Sequence, residues 1–250
     1  TEGMSKLFSI GRILLYVSCL NLVYANVYAD SFKASMPDIL LEQNDKTSEF
    51  LNLIYLWGEI LGNDIKVEYF PFKRSIQNVV NKHADFHFPL IKNPYKSNSE
   101  LGFDYSTTCI TNIDFVLYTR RDKPIDIDNL SAYKMATDAA HTDLFNFPVE
   151  GIFTVDGALK KLSSGRIDGY IFSVDVVDTV MKSLNLTNLH RQLYRTYDVH
   201  AVLPLGGQGN KTDQMITEAQ TAIAASPEYS EVLEKIYIPY NEWQIYQGHL

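Results

Sequence analysis

Cysteine is scarce in this sequence, which contains only Cys19 and Cys109 in 250 residues. Cys19 lies in an N-terminal segment that we expect to be removed, so the remaining chain would keep one cysteine and form no intramolecular disulfide. No histidine accompanied by a carboxylate lies near Cys109 in the sequence, so nothing local indicates a catalytic nucleophile. Because free cysteines are usually buried, we expect Cys109 to be a small buried apolar residue.

Basic residues are also few: Lys and Arg total 22, against 30 for Asp and Glu, and the formal net charge is −8. An acidic surface repels nucleic acid and anionic lipid. We therefore expect neither of them as a partner.

The short motifs of common catalytic and cofactor sites are absent. The sequence contains no His-Glu-x-x-His and no Gly-x-Ser-x-Gly, and the glycine-rich stretch 206–210 is not followed by Gly-Lys-Ser/Thr. Asp85 and Asp168 could form a pair of catalytic carboxylates, but each follows a turn and precedes a strand, which favours a structural role. We predict no enzyme activity, no cofactor and no metal ion.

Residues 1–29 have the features of a signal peptide. Met4 is followed by two basic residues, an apolar run over 13–23 and small side chains before Asp30. A membrane anchor needs about twenty apolar residues, and two asparagines shorten this run. We predict cleavage before Asp30 and export to the periplasm; the loss of one carboxylate and two cations changes the formal charge from −8 to −9.

The strongest positive signal is a pattern that occurs twice. From Phe72, apolar residues three and four apart lead to a polar turn, and then Asp85 begins an apolar run; from Val155 the same order ends at Asp168. This order is typical of a helix packed on the sheet that it precedes, and it is common in α/β proteins in general. Two copies predict two similar lobes with a ligand-binding cleft between them.

The remaining chain alternates between helical and extended patterns, which predicts an α/β fold with sheets covered by helices. Helices are predicted over residues 47–61, 139–145, 174–184, 213–225 and 227–237. Strands are predicted to end at 37 and to cover 65–70, 103–106, 113–119, 133–137, 189–194 and 199–203.

Four stretches carry a family resemblance, namely Pro71-Phe72-Lys73-Arg74, Phe103-Asp104-Tyr105-Ser106, Ser164-Gly165-Arg166-Ile167-Asp168 and the helical tail 215–237. In this order and spacing they resemble the bacterial periplasmic solute-binding proteins of the type 2 fold, which include the amino-acid-binding components of ABC transporters. The resemblance covers nearly all of the chain after residue 29.

This resemblance implies two lobes, each a sheet flanked by helices, joined by two hinge crossings. The first lobe would comprise residues 30–118 and 200–250, and the second residues 119–199. The protein would capture a small polar or anionic solute, amino-acid-like or carboxylate, in the cleft. It would act as a monomer that delivers the solute to an inner-membrane ABC permease.

Two departures from the family bear on the ligand. Amino-acid binders of this family usually carry an Arg for the α-carboxylate after the first repeated strand, and an Asp for the α-ammonium in the second lobe. Here Lys96 lies nearest the Arg position, and Ser173 lies at the Asp position with Asp175 two residues on. Lys lacks the guanidinium fork that fixes the plane of a carboxylate, so the identity of the ligand stays open.

Arg74 is a candidate ligand contact because it begins a helix, where a cation opposes the helix dipole. A ligand anion would explain it, and so would an ion pair with Asp38 or Glu68. Micromolar binding needs about 8 kcal/mol, whereas one charge-assisted hydrogen bond supplies about 1.5–3 kcal/mol. Aromatic walls must therefore contribute, and Tyr69, Phe72 and Tyr105 are the candidates.

The second lobe offers Asp138, His141 and Thr142 where a strand gives way to a helix, whose first N–H groups attract anions. Asp138 or Thr142 could instead cap that helix, and Ser173 or Asp175 the next one. Two other functions stay open. One is an exported enzyme resembling cyclohexadienyl dehydratase, with Asp175 or Glu150 as acid or base, and the other is a ligand-sensing module for a membrane partner.

Overall fold

The computed structural model describes residues 30–38 and 46–241. The predicted signal peptide, residues 1–29, lies outside the described residues. The chain divides into the units Thr1–Asp30 and Ser31–Leu250, and the fold below is that of the second unit. In the part that is described, we find no helix whose length and apolarity would suit a bilayer crossing.

The described ranges contain strands and helices in alternation. The strands are β1 Ser31–Pro37, β2 Asp64–Phe70, β3 Phe86–Ile91, β4 Phe103–Tyr105, β5 Thr111–Arg120, β6 Met135–Asp138, β7 Val149–Ile152, β8 Gly169–Ser173 and β9 Leu189–Pro204. The α-helices are α1 Lys46–Leu61, α2 Phe72–Val80, α3 Asn98–Leu101, α4 Val155–Ser163, α5 Val174–Ser183, α6 Lys211–Ala225 and α7 Ser230–Ile236. Short 3₁₀ helices cover Ile127–Ala132, Thr142–Leu144 and Pro227–Tyr229.

One mixed sheet runs through the molecule in the order β2-β1-β3-β9-β5-β8-β6-β7, with β4 beside β9. At one end β2 and β3 are parallel to β1, and at the other end β7 and β8 are parallel to β6. The middle is an antiparallel pair, β5 and β9, whose register runs from Thr111 opposite Val199 to Arg120 opposite Leu189.

Separate hydrophobic cores form on the two sides of this pair. The first surrounds Trp57 of α1, whose ring lies 5.4 Å from Phe88 of β3, and includes residues of β1 and α6. The second packs α4 and α5 on β5, β6 and β8 around residues such as Leu159 and Tyr170. The chain passes between the lobes in β5 and returns in β9, so the structure has two lobes and two hinge crossings.

The repeated sequence pattern is confirmed, and Asp85 and Asp168 play the same structural part in each copy. The Asp85 carboxylate accepts the N–H of Lys33 at 2.7 Å, and the Asp168 carboxylate accepts the N–H of Lys134 at 2.9 Å. Each aspartate also donates its own N–H to the carbonyl of the same lysine, at 2.9 Å in both copies. These hydrogen bonds join the turn after each helix to the start of the neighbouring parallel strand.

The glycine-rich stretch after β9 binds a carboxylate of the protein itself. The N–H groups of Gly206 and Gly207 donate to Asp104 at 2.7 and 2.9 Å, and Gly206 has a φ of 81°, which favours glycine. Asn210 then caps α6 by accepting the N–H of Asp213 at 2.9 Å. The loop therefore joins β4 to the start of α6.

Several predicted elements differ from the observed ones. The predicted helix over 139–145 is wrong, because only Thr142–Leu144 is helical and it forms a 3₁₀ turn. The strands predicted at 189–194 and 199–203 are one continuous strand, since residues between them keep pairing with β5. The helix predicted over 227–237 is divided into a 3₁₀ turn and α7, and β7 and α3 were not predicted.

Candidate ligand-binding cleft

The two sets of parallel strands end at two edges that carry the candidate ligand contacts. Ligands of open α/β sheets usually bind beyond the carboxyl ends of parallel strands. In the first lobe, β2 and β3 end at Phe70 and Ile91. In the second lobe, β6 and β8 end at Asp138 and Ser173.

In the first lobe, Arg74 lies exposed in the first turn of α2. Pro71 precedes this helix and supplies no side-chain cap to the N–H groups of the first turn. Among the described residues Arg74 forms no ion pair, and the alternative pairing with Asp38 or Glu68 is not observed. Its guanidinium is therefore available to an anion.

The three aromatic candidates of the first lobe differ in exposure. Tyr69 is half-buried against the core, and burial raises the pKa of its hydroxyl. Phe72 is also half-buried and places its ring edge-on to His87 at 5.8 Å. Tyr105 is only 2% exposed, so it cannot form a cleft wall directly. Its hydroxyl instead accepts the N–H of Asn93 at 3.0 Å and supports the segment after β3.

That segment reaches across to the second lobe and forms the interlobe contact of Asn93, Lys96 and Asp143. The Asn93 amide donates to the Asp143 carbonyl at 2.9 Å and to its carboxylate at 3.2 Å, and Lys96 pairs with the same carboxylate at 3.2 Å. Asp143 lies in the 3₁₀ turn just after β6. The contact therefore brings the carboxyl-end edges of the two lobes face to face.

A second contact between lobes involves Tyr95 and Arg195. The Arg195 guanidinium donates to the Tyr95 hydroxyl at 3.1 Å and lies 5.7 Å from the ring centroids of Tyr95, Tyr194 and Tyr197. Three rings around one cation favour cation–π attraction. Arg195 therefore contributes both to the hinge strand β9 and to the segment that follows β3.

At the second edge, Asp138 and His141 form a pair. The Nδ1 of His141 lies 2.8 Å from Asp138, whose carboxylate also accepts the N–H of Ala140 at 2.9 Å. Burial acts to raise the pKa of Asp138, but the hydrogen bonds and the charge of His141 outweigh it and lower the pKa. The His141 ring packs against Phe115 and Phe172 at 6.0 and 5.2 Å, so it presents a fixed aromatic surface.

Ser173 and Asp175 mark the start of α5. Ser173 is buried, and its hydroxyl donates to the Asp175 carboxylate rather than capping the helix. Asp175 is half-buried in the first turn, where a carboxylate is favoured by the helix dipole. Thr142, also half-buried, begins the neighbouring 3₁₀ turn. These residues and the pair Asp138 and His141 belong to the same edge of the second lobe.

Sequence reasoning missed the partners that join the lobes. Asp143 lies 50 residues from Asn93, and Arg195 lies 100 residues from Tyr95, so no spacing relates them. The dipeptide Asn93-Pro94 after a strand indicates a turn, and this was the only local signal.

The expectation for Cys109 is wrong, because its side chain is exposed. The residue lies just before β5, where the chain leaves the first lobe. Asp198 and His200 lie beside it, although both are about 90 residues away in sequence. Burial and the charge of Asp198 raise the pKa of the Cys109 thiol, which argues against a nucleophile.

One pocket lies far from this cleft, at the end of β5, where Arg120, Arg121 and His190 contribute to its lining. Arg120 pairs with Asp122 at 3.0 Å, and the Nε of Arg121 donates to the Leu189 carbonyl at 3.0 Å. Both guanidinium groups therefore already have partners within the protein, and the pocket gives no indication of a ligand.

No protein-family model and no curated protein sequence matches the chain. Solved structures do match its fold. The GluR0 ligand-binding core from Nostoc punctiforme, solved with L-glutamate, aligns with a TM-score of 0.60 over 83% of this chain and 100% of that chain, at 15% identity. The protein ArtJ from Geobacillus stearothermophilus, which binds arginine, lysine and histidine, aligns with a TM-score of 0.57 over 83% and 95%, at 14% identity.

A histidine kinase sensor domain with similarity to periplasmic binding proteins also aligns, with a TM-score of 0.60 over 82% of this chain and 94% of that chain, at 12% identity. At these identities the likeness establishes the fold. The chain has the two-lobed fold of the type 2 periplasmic binding proteins.

Proposed function

We propose that the protein is a periplasmic solute-binding protein that captures a small polar or anionic solute between its lobes. The solute class that the residues favour is an amino acid or a related carboxylate. The observation that carries the proposal is the interlobe contact, because Asn93 and Lys96 meet Asp143 where the carboxyl-end edges face each other. A solute held between these edges would contact both lobes.

The charges at the two edges suit a zwitterion. Arg74 on the first lobe has no ion pair within the described ranges and can donate two parallel hydrogen bonds to a carboxylate. Lys96 is less suitable because Asp143 already pairs with it at 3.2 Å. On the second lobe Asp175 and Asp138 offer carboxylates to an ammonium group, and His141 and Phe172 offer aromatic surface. These assignments rank Arg74 above Lys96 and leave Tyr105 a supporting role behind the cleft.

Delivery to an ABC permease and export through cleavage before Asp30 complete the proposal. The solved amino-acid-binding proteins of the same fold support it. A neighbouring permease and ATPase gene would support import directly. Loss of uptake of the identified solute on deletion of the gene would test it.

We predict that an amino acid or small carboxylate stabilises the purified protein. A ligand that binds only the folded state at a hundred times its Kd adds about 2.7 kcal/mol, which raises the Tm of a domain of this size by about 5–10 °C. Thermal unfolding with a panel of amino acids and carboxylates measures this. No shift with any member of the panel would contradict the proposal.

The variant Arg74→Gln tests whether Arg74 contacts the ligand, and Arg166→Gln is its control. Both arginines are exposed, but Arg166 lies in the turn between α4 and β8, away from the cleft edges. We expect Arg74→Gln to weaken binding of an anionic ligand by about 10-fold or more, because a charge-assisted hydrogen bond contributes about 1.5–3 kcal/mol. Equal affinity of the two variants in titration calorimetry would remove Arg74 from the site.

We also predict that Asp143→Ala shifts the protein toward an open form. The change removes the carboxylate that Lys96 and Asn93 contact across the cleft, and exposed pairs of this kind contribute about 0.2–1 kcal/mol. The ligand affinity should therefore fall by about 1.4- to 5-fold. The radius of gyration without ligand, measured by small-angle X-ray scattering, should rise.

The control for this change is Asp156→Ala. The Asp156 side chain is 47% exposed and pairs with Lys160 at 2.8 Å, but both residues lie within α4. The control should leave affinity and radius of gyration unchanged. If both variants behave alike, the interlobe contact does not bias closure.

A sensing role is the second candidate, because one solved structure of this fold is a histidine kinase sensor domain. Sensing predicts that deletion of the gene abolishes a transcriptional response to the solute while uptake continues. The enzyme alternative is less favoured, since Glu150 pairs with Lys161 at 2.5 Å on the protein surface and Asp175 accepts the Ser173 hydroxyl.

A further inference from the structure

We infer that Cys109, Asp198 and His200 form a binding site for a divalent transition-metal ion of the zinc type. The Sγ of Cys109, a carboxylate oxygen of Asp198 and a ring nitrogen of His200 lie within 4.8 Å of one another. Zinc binds sulfur at about 2.3 Å and nitrogen at about 2.0–2.1 Å in tetrahedral geometry, which places its ligand atoms roughly 3.5 Å apart. Small side-chain movements would therefore complete the site.

The fold explains why these residues meet. Asp198 and His200 are two apart on β9, so their side chains lie on the same face of the strand. Cys109 lies two residues before β5, whose first residue, Thr111, pairs with Val199. The three side chains therefore come from the two segments that connect the lobes.

His200 provides an independent indication of a ligand. The residue is 4% exposed, and its Nδ1 lies 2.8 Å from the Ser106 carbonyl, to which it donates its proton. This tautomer leaves a lone pair on Nε2, which is buried and has no hydrogen-bond partner in the described ranges. Unpaired buried polar atoms are costly, and a carbonyl that holds one imidazole nitrogen commonly orients the other toward a metal.

The other two side chains are similarly supported. Asn112 donates to the Oδ1 of Asp198 at 3.0 Å, so the second carboxylate oxygen remains for a metal ion. The Cys109 thiol donates to the Thr111 carbonyl at 3.2 Å, and this proton would leave when the sulfur binds a metal ion. Lys92 lies nearby and donates its backbone N–H to the Asp198 carbonyl at 2.8 Å.

The donor set determines the kind of metal. Thiolate and imidazole ligands favour zinc and its neighbours over magnesium or calcium, which prefer oxygen. Three protein ligands leave a fourth position for water. Because Cys109 precedes one crossing strand and the other two ligands lie on β9, the bound ion would join the two crossings at the first lobe.

Cobalt titration tests the site, since Co²⁺ replaces zinc and a cobalt–thiolate bond absorbs in the near ultraviolet. We expect one equivalent of Co²⁺ to produce this band in the reduced protein, and Zn²⁺ to displace it. Cys109→Ser should abolish the band, and Asp198→Asn should weaken the affinity by about 10-fold or more. Both positions are exposed, so neither change should prevent folding.

His83→Gln is the control for binding by surface histidines, because His83 is exposed in the turn after α2. The His83→Gln variant should bind Co²⁺ and Zn²⁺ with the same affinity as the unmodified protein. The inference is overturned if no thiolate band forms. It is equally overturned if Cys109→Ser binds Zn²⁺ as tightly as the unmodified protein, or if His83→Gln weakens binding as much as Asp198→Asn does.

Discussion

Replacing Arg191 by Met should destabilise the protein by about 3–5 kcal/mol, because the change leaves a buried carboxylate without its cation. Arg191 is 2% exposed, and its guanidinium pairs with Asp178 at 2.8 Å in the second lobe. It also lies 4.6 Å from the Tyr240 ring centroid and donates to the Asn241 carbonyl at 2.9 Å. The free energy of unfolding from denaturant titration measures the loss.

The double variant Arg191→Met with Asp178→Asn separates the charge effect from lost packing. Asp178 accepts the Tyr118 hydroxyl at 2.9 Å, and an asparagine oxygen can accept the same proton. Removing both charges should therefore recover most of the stability. If the double variant is as unstable as Arg191→Met alone, the unpaired charge is not the cause.

The same cluster shows how the C-terminal segment contributes to the fold. Tyr240 packs against the core of the second lobe, and its N–H donates to Asp114 of β5 at 2.7 Å. The Tyr237 hydroxyl donates to the same carboxylate at 3.2 Å. The chain after α7 therefore contacts both the hinge strand and the second lobe.

The repeated unit could be predicted because its determinants are local. Apolar residues at helical spacing, a turn and an apolar strand follow one another within about twenty residues, and Asp85 and Asp168 repeat at the same point. The family resemblance depends on the same local order. The α/β class and the two-lobed fold followed from such patterns.

The features that join the lobes could not be predicted in this way. The 16-residue strand β9 looked like two strands, because Arg195 and Asp198 interrupt its apolar pattern. Arg195 contacts Tyr95, and Asp198 lies close to Cys109, which is distant in sequence. Polar residues within a long strand were the available signal, but their partners are fixed by tertiary structure.

Lowering the pH from 6.5 to 3 should cost about 5 kcal/mol of stability through His87 alone, at 1.36 kcal/mol for each pH unit. His87 is fully buried, and burial lowers its pKa from 6.5 to about 3. In the unfolded chain His87 therefore becomes protonated near pH 6.5, whereas in the folded protein it becomes protonated only near pH 3. The contribution of neutral His87 to the free energy of unfolding is fully present above pH 6.5 and is lost as the pH falls toward 3.

The surroundings of His87 explain why the ring stays neutral and how the effect can be isolated. The Ser75 hydroxyl lies 2.7 Å from Nδ1 and 2.8 Å from the Ser35 hydroxyl. Among the described residues, this nitrogen therefore has a neutral hydroxyl as its partner and no carboxylate. His87→Asn keeps a polar atom near Nδ1 but binds no proton, so its unfolding free energy should fall less steeply between pH 6.5 and 3. The exposed His83→Asn should keep the original slope. An unchanged slope in His87→Asn would show that other groups cause the acid sensitivity, because carboxylates whose pKa is lowered by folding, such as Asp138, also make stability fall as the pH falls.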